Sequence, residues 1–379
     1  MSAITVEASG RKSDLVSILA SLGLMVFLAA SLSVPGGYST GTAIIAVAGL
    51  VCLTKRLFAG APLIQPTLAG KLPLVFMAFA LVGAAISLWQ QAPAGHYEMY
   101  IPFLWAPLIF LAVLDGRIDR RFIWLGCLIG AGLACALAMY QSLHLGEQRP
   151  SGFLTNPIFF GNNALLLGSI ALAGRHDPPF NLRKPIWLAV AYTGFLLGLV
   201  ASLMTLSKGG WPFAPLVLVW VAVEDFRRAS KRGRFSLILV ALTLIALVPL
   251  MPINSTLDRI NSAATGALEW FRTGEMVEGS VAPRLELWRL GLEIWPEKPW
   301  LGHTREGVTE RIEQKFAHNE VTLGLTGFGA LHSEPVQLLA EKGLFGLLSW
   351  VLMYVVSAVV FWRAYSGPEP VCKMLGQAG

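Results

Sequence analysis

Ten apolar runs of roughly membrane-spanning length recur along this 379-residue chain and constrain its fold more than any other feature. The runs are 15–34, 39–54, 72–89, 99–114, 122–142, 157–173, 186–205, 211–223, 235–251 and 344–363. Backbone groups inside lipid must be hydrogen-bonded within the protein, which helices achieve segment by segment. We therefore predict an all-α polytopic membrane protein with about 10–12 transmembrane helices, since a helix crosses a bilayer with about 20 apolar residues.

The composition also excludes a soluble protein. Charged residues make up only 14% of the chain and apolar residues 55%, with a mean hydropathy of +0.61. Soluble proteins carry about 25% charged residues, so a soluble body of this size would lack polar surface. The net charge of +6 does not indicate nucleic-acid binding, because the basic residues are spread over many short loops. The four cysteines form no CxxC motif, and we expect buried apolar side chains.

Lysine and arginine alternate between successive loops, which predicts the orientation of the chain. We place the N-terminus, with Arg11 and Lys12, in the cytoplasm. The cytoplasmic loops then hold Lys55, Arg56, Lys71, Arg117, Arg120, Arg121, Arg175, Arg183, Lys184, Arg227, Arg228, Lys231, Arg232 and Arg234. The short loops on the other side hold only Arg149 and Lys208. We expect a multi-pass protein of the bacterial inner membrane, with its first run retained as a helix rather than cleaved as a signal peptide.

One long segment, 252–343, interrupts this alternation and lies on the periplasmic side of the predicted topology. It contains nine Lys/Arg and thirteen Asp/Glu residues, and long loops cross membranes largely regardless of their charge. A loop of this length in a compact fold is usually functional. We therefore predict transmembrane helices 1–9 in residues 1–251, a large helical periplasmic loop in 252–343, and the last span with a cytoplasmic tail in 344–379.

Two helices are predicted inside this loop. Trp288, Leu292 and Trp295 recur at helical spacing, and two prolines then end that helix. Ser333 is a suitable N-cap for a second, short helix, which a proline enters in its first turn. Gly343 is expected to close it.

Polar residues of the kinds that handle phosphates and protons gather in four places on the predicted periplasmic face. These are residues 149–157, with Asn162 and Asn163 in the run that follows; the glycine turn 206–211; Arg284 with Trp288; and His332, Ser333 and Glu334. Each also has an ordinary interpretation. Arg149 and Lys208 are typical of interface anchors. His332 alone is typical of a structural histidine, and His303 and His318 are further candidates for a catalytic one.

Arg284 has the alternative of pairing with Glu286 or Glu293 on a solvated helix face. Taken together, however, the four groups combine cations and a histidine on one membrane face beside a large loop. Fixed cations at a bilayer surface suit a lipid-linked diphosphate, and a histidine suits removal of a hydroxyl proton near neutral pH. The sequence has no DxD motif that would indicate a metal-dependent transferase.

The order of these motifs resembles that of the O-antigen ligase and polymerase superfamily. That family combines many spans, a Ser-Arg-Gly-type turn, a large external loop opening with Arg-x-x-x-Trp, and His-Ser or His-Asn before Glu-x-Gly-x-x-Gly. The corresponding residues here are Ser207-Lys208-Gly209, Arg284 to Trp288 followed by Pro299 to Gly302, His332 to Pro335, and Glu341 to Gly346. The resemblance covers roughly residues 145–350.

The resemblance implies a metal-independent, inverting glycosyl transfer without a cofactor. The donor would be a glycan on undecaprenyl diphosphate and the acceptor, in the ligases, a sugar hydroxyl of the lipid A core; membrane lipid is a further expected partner and nucleic acid is not. By match, His332 would be the base that activates the hydroxyl, while Arg284 and Lys208 would hold the diphosphate and offset charge on the leaving group. The expected substrate-binding residues are Arg149, Asn156, Ser207, Trp288 and Ser333.

Two features depart from the family pattern. Lys208 stands where the turn commonly has arginine, which keeps the charge but loses the bidentate geometry, and ten spans are found where the family often has about twelve. Within the superfamily, the alternatives are an O-antigen polymerase, whose acceptor is another lipid-linked repeat, and a protein O-oligosaccharyltransferase, which modifies a pilin-like serine. Outside it, the alternatives are a transporter or flippase of lipid-linked substrates and a structural scaffold. Transporters typically show internal repeats and polar groups near the bilayer midplane, and we find neither pattern in the sequence.

Overall fold

The computed structural model describes residues 15–115, 118–154, 156–206, 210–211, 213–228, 253–273, 281–317 and 330–368. Every regular element in these ranges is a helix. The α-helices are α1 (Leu15–Ala30), α2 (Gly37–Phe58), α3 (Leu68–Trp89), α4 (Gly95–Glu98), α5 (Ile101–Leu104), α6 (Ala106–Asp115), α7 (Arg120–His144), α8 (Pro157–Ala173), α9 (Lys184–Met204), α10 (Phe213–Arg228), α11 (Ile253–Thr273), α12 (Ala282–Ile294), α13 (Arg305–Ala317) and α14 (Glu334–Tyr365). Two 3₁₀ turns, Pro179–Asn181 and Trp295–Glu297, complete these elements.

Five of the described helices are long and apolar enough to cross a membrane, namely α2, α3, α7, α9 and α14. The shorter helices α1, α6 and α8 are also apolar. Each of the eight coincides with a predicted run or with part of one. Several helices are longer than their runs because polar residues at the ends join the helix, as in α2, which continues to Phe58. The chain is therefore an all-α polytopic membrane protein, which confirms the predicted fold class.

The predicted span 99–114 is interrupted in the structure. α5 ends at Leu104, and α6 begins at Ala106 after a turn at Trp105. Pro107 explains the break, because proline has no N–H to donate and its ring clashes with the carbonyl group four residues earlier in a continuous helix. Pro107 instead occupies the first turn of a new helix, where proline is tolerated. The predicted run 235–251 lies outside the described residues.

The chain divides into two compact units. The first comprises the described residues of Met1–Pro73, Trp105–Asp225 and Ser357–Gly379, and the second those of Leu74–Leu104 and Phe226–Val356. The second unit therefore contains the segment predicted as a periplasmic loop together with the chain from Leu74 to Leu104. The predicted domain boundaries after residues 251 and 343 remain predictions.

Small residues bring the helices of the first unit into close contact. A methyl group added at Gly130 of α7 would lie 2.3 Å from the carbonyl oxygen of Leu28, and one added at Gly198 of α9 would lie 2.4 Å from that of Ala164. Such approaches are typical of membrane helices, which associate through tight packing because lipid provides no hydrophobic driving force between them. The described cysteines are buried in this unit, as predicted: Cys52, Cys127 and Cys135.

Arginine–carboxylate pairs join helix ends within the first unit. Arg56, at the end of α2, donates two hydrogen bonds to the carboxylate of Asp115 at the end of α6. Arg120, at the start of α7, donates two to Asp177, which follows α8. All four residues lie at helix ends that the lysine and arginine pattern predicts to be cytoplasmic. The arginines at these helix ends therefore form ion pairs within the protein, in addition to contributing to the lysine and arginine bias that predicts orientation.

Arg175 is the centre of a buried polar cluster in the same unit. Its side chain is fully buried and donates to Asp225 and to Glu224, each at 2.9 Å. Asp225 also contacts His176 at 2.8 Å and accepts a hydrogen bond from the Tyr192 hydroxyl at 2.8 Å. Because a buried carboxylate is costly unless it is paired, the contacts of Arg175, His176 and Tyr192 with Asp225 offset the cost of burying it.

Two glycines shape the second unit at the point where the last span begins. Gly302 and Gly343 have φ values of 66° and 64°, which favour glycine because it has no side chain. A methyl group added at Gly343 would lie 2.3 Å from the backbone carbon of Trp300. The break that Gly343 makes in α14 confirms the predicted helix end. The Leu344 N–H then donates to the Pro299 carbonyl oxygen at 2.9 Å, which holds the two segments together.

We expect Arg175→Met to destabilise the protein markedly. The change leaves Asp225 and Glu224 without their buried cation, and breaking a buried ion pair on one side costs about 3–5 kcal/mol. Thermal unfolding of the detergent-purified protein measures the effect. The exposed Arg183 provides the matched control, since Arg183→Met removes the same charge from the surface. Equal melting temperatures for the two variants would show that the buried cluster contributes nothing to stability.

Candidate active site

The helix that carries Arg284 and Trp288 has one buried and one exposed face. Its buried side chains, Leu287, Leu290 and Ile294, belong to a hydrophobic core. The other buried members of this core are Val308 and Ile312 of α13, Ala340 of α14 and Leu331, the residue before His332. Arg284 and Trp288 are four residues apart and therefore share a helix face, and both are exposed. Burial of the opposite face thus presents the arginine and the tryptophan together at the surface of the second unit.

Arg284 does not form the ion pair that its sequence neighbours offer. The carboxylates of Glu286 and Glu293 instead accept hydrogen bonds from Arg289, including one from Arg289 Nε to Glu286 at 3.0 Å. No described residue forms a hydrogen bond or ion pair with the Arg284 guanidinium. The interpretation of Arg284 as the partner of Glu286 or Glu293 is therefore wrong. The exposed Arg284 guanidinium is therefore not engaged by either glutamate of its own helix.

His332 is exposed on a short turn between two anchored neighbours. The preceding Leu331 is fully buried in the core of the second unit, and the following Ser333 accepts a backbone hydrogen bond from Gln337 at 2.8 Å as α14 begins. His332 has a φ of 52°, in the left-handed region that non-glycine residues rarely adopt. His332 is therefore exposed on a turn whose two neighbouring residues are both held by the rest of the unit. Strained conformations of this kind cluster at functional sites.

The other candidate histidine in this unit occupies a different environment. His303 is only 4% exposed, its backbone N–H donates to the Ala340 carbonyl oxygen at 2.8 Å, and its Nε2 lies 3.8 Å from Glu297. Burial is the main cause that lowers the pKa of His303 below its ordinary value. A histidine enclosed in this way is poorly placed to reach a substrate hydroxyl. His318 lies outside the described residues.

The predicted site residues of the first unit lie around the loop between α7 and α8. Arg149 is exposed and its Nε donates to the Thr205 carbonyl oxygen at 3.2 Å, at the end of α9. Asn156 is the N-cap of α8, and its side chain accepts a hydrogen bond from the Ile158 N–H at 2.8 Å. Its oxygen therefore has a structural partner, which sequence reasoning did not foresee. Ser207 and Lys208 lie outside the described residues.

Three buried polar side-chain atoms in this part of the first unit have no described hydrogen-bond partner. They are Asn162 Oδ1 in α8, Ser202 Oγ in α9 and Trp211 Nε1. A methyl group added at Gly210 would lie 2.7 Å from Asn162 Oδ1, so the asparagine packs directly against the turn. Unpaired buried polar groups are rare and often mark functional positions.

We expect His303 to contribute to acid destabilisation of the protein. Because burial lowers the pKa of His303, the unfolded chain takes up this proton at a higher pH than the folded protein does. The free energy of unfolding should therefore fall as the pH drops below about 6.5, the ordinary histidine pKa. Thermal melts across this range for wild type, His303→Gln and the exposed control His144→Gln measure the effect. The His303→Gln profile should be flatter, and a slope equal to wild type would contradict this assignment.

Residues 193–351 match the family model described as O-antigen ligase, whereas no curated protein matches the chain. The matched range includes Lys208, the helix with Arg284 and the turn with His332, but not Arg149 or Asn156. The match supports a function of the O-antigen ligase or polymerase type, in which a lipid-linked glycan and an acceptor are used. The chain is therefore a multi-pass membrane protein whose residues 193–351 match the O-antigen ligase family model.

Proposed function

We propose that this protein is an O-antigen ligase, which transfers a glycan from undecaprenyl diphosphate to a sugar hydroxyl of lipid A-core. The observation that carries the proposal is the exposed, backbone-strained His332, whose neighbour Leu331 is buried in the same core as the helix of Arg284. A base and a cation on one rigid core are what a transfer from a diphosphate requires. The reaction belongs to lipopolysaccharide biosynthesis and needs no metal ion in this proposal.

His332 acts on the acceptor in this mechanism. Its imidazole accepts the proton of the acceptor hydroxyl while the hydroxyl oxygen attacks the anomeric carbon of the donor glycan. The bond between that carbon and the diphosphate oxygen breaks as the new glycosidic bond forms. A single displacement of this kind inverts the anomeric configuration. The exposure of His332, compared with the burial of His303, supports this choice of base.

Arg284 and Lys208 act on the leaving group. The undecaprenyl diphosphate departs with the electron pair of the broken bond, and the two cations offset its increased charge. The exposure of Arg284 beside Trp288 on the same helix face supports this role. Arg149, Asn156, Ser207, Trp288 and Ser333 are proposed as further substrate contacts. The lysine and arginine pattern supports an inner-membrane location with the active site on the periplasmic face.

We expect His332→Ala to abolish glycan transfer while the protein remains folded in the membrane. The test reconstitutes purified protein with an undecaprenyl-diphosphate glycan and lipid A-core, with EDTA present to remove divalent metal ions. His144→Ala is the matched control, because His144 is another exposed histidine and lies outside the proposed site. Transfer by wild type and His144→Ala, but not by His332→Ala, is the expected result. Wild-type activity in His332→Ala would overturn the mechanism.

The same reconstitution separates the alternative functions. Lengthening of the lipid-linked glycan without any transfer to lipid A-core would identify a polymerase. Transfer only to a pilin-like serine would identify a protein O-oligosaccharyltransferase. Movement of the lipid-linked glycan across the bilayer without any transfer would favour a transporter.

We expect Arg284→Gln to weaken the use of the donor by roughly 10- to 100-fold, since hydrogen bonds to a charged group contribute about 1.5–3 kcal/mol. Arg311→Gln is the control in the same unit, because it removes an equal charge from a surface ion pair with Glu297. Donor saturation curves for the two variants measure the effect. An unchanged donor KM and turnover in Arg284→Gln would contradict its diphosphate role.

A further inference from the structure

Gln337 makes a hydrogen bond on each side of His332. Its side-chain Oε1 accepts a hydrogen bond from the N–H of Leu331 at 2.6 Å, and its backbone N–H donates to the Ser333 carbonyl oxygen at 2.8 Å. One residue in the first turn of α14 therefore holds the backbone by a hydrogen bond on each side of the histidine. The arrangement is similar to a capping box, in which a glutamine near a helix start bonds back to the backbone that enters the helix.

These hydrogen bonds flank a residue whose backbone conformation must be stabilised by its surroundings. His332 has a φ of 52°, and such conformations persist only where the surroundings enforce them. Leu331 is held by its buried side chain as well as by its bonded N–H. Without the Gln337 side chain, the N–H of Leu331 loses its described partner. The turn then loses the hydrogen bond that Gln337 makes on the Leu331 side of His332.

A second residue sets the orientation of the Gln337 amide. Gln337 Nε2 donates to Glu341 Oε1, one helical turn further along α14. A carboxylate accepts hydrogen bonds and cannot donate them, so it selects the NH₂ end of the amide and turns the oxygen towards Leu331. The Glu341 backbone is itself held, because its carbonyl oxygen accepts a hydrogen bond from Gln90 Nε2 at 2.8 Å. The chain of contacts runs from Glu341 through Gln337 to the backbone at His332.

We propose that Gln337 and Glu341 are positioning residues, which hold the His332 imidazole in the geometry that proton abstraction requires. This inference rests on the proposed role of His332 as the base. Neither residue needs to contact a substrate, because both act through the backbone of the turn. A small displacement of a catalytic group lowers the rate of the chemical step more than it lowers substrate affinity. Sequence reasoning selected Glu341 only as part of a glycine motif and missed Gln337 altogether.

Three variants test the contact chain. Gln337→Leu removes the amide with little change in size. The Leu331 N–H then loses its acceptor and Glu341 loses its donor. Gln337→Glu keeps an acceptor for Leu331 but sets two carboxylates against each other. The exchange variant Gln337→Glu/Glu341→Gln restores one donor and one acceptor in reversed order, at an unchanged total charge. Ser349→Ala is the control on the same helix, since Ser349 also makes a side-chain hydrogen bond, to the Gly346 carbonyl oxygen at 2.8 Å.

In the reconstituted transfer reaction, both single variants should lower kcat by roughly 10- to 100-fold, with little change in KM for donor or acceptor. The exchange variant should recover most of the lost kcat, and Ser349→Ala should match wild type. Hydrogen–deuterium exchange of a peptide spanning 330–333 gives a readout independent of activity. The Leu331 amide should exchange faster in Gln337→Leu and return towards the wild-type rate in the exchange variant.

Wild-type kcat in Gln337→Leu would overturn the inference, as would an exchange variant that protects the Leu331 amide yet remains as slow as the single variants. If Gln337→Leu fails to fold, the exchange variant decides between these results in the same assays. His332→Ala is run in parallel. An active His332→Ala would overturn the proposed base, whereas an inactive His332→Ala beside a fully active Gln337→Leu would overturn only the positioning role.

Discussion

The burial of Leu331 is the contact on which the candidate site in the second unit depends. Its side chain packs into the same core as Leu287 and Leu290 of α12, and the next residue in the chain is His332. A packed interior is rigid compared with a surface loop, so this one contact ties the turn to the helix that carries Arg284. The polar residues are then free to remain exposed, because the neighbouring apolar residues provide the anchoring. The proposed chemistry therefore rests on apolar packing immediately beside it.

The first unit uses polar contacts in a different way. Arg175 and Asp225 are buried together, where their ion pair offsets part of the cost of burying each charge. Near the opposite ends of the helices, Asn162 and Ser202 have buried polar atoms without a described partner. One end of the unit thus satisfies its charged groups through ion pairs within the protein.

Several local features were predictable because they depend on neighbouring residues alone. Gly343 was expected to end a helix, and it adopts the left-handed conformation that breaks α14. The helix containing Trp288 ends at Ile294, immediately before the predicted proline stop. The span 99–114 was predicted wrongly because its apolar character was read without the restriction that Pro107 places on the preceding turn. Hydrophobicity predicts that a segment prefers lipid, but it does not predict that the segment is one helix.

The sequence by itself determined the class of the protein. Spanning length, the scarcity of charge and the order of short motifs can all be recognised without knowledge of any contact. It also selected Arg284 and His332 as candidates. Only the tertiary structure decided that Arg289 and not Arg284 binds the helix glutamates, that His303 is enclosed while His332 is exposed, and that Gln337 flanks the histidine. These outcomes depend on which face of each helix is buried and on hydrogen bonds between residues that the motifs do not relate. Burial and pairing are properties of the packed chain, and residue identity alone leaves them open.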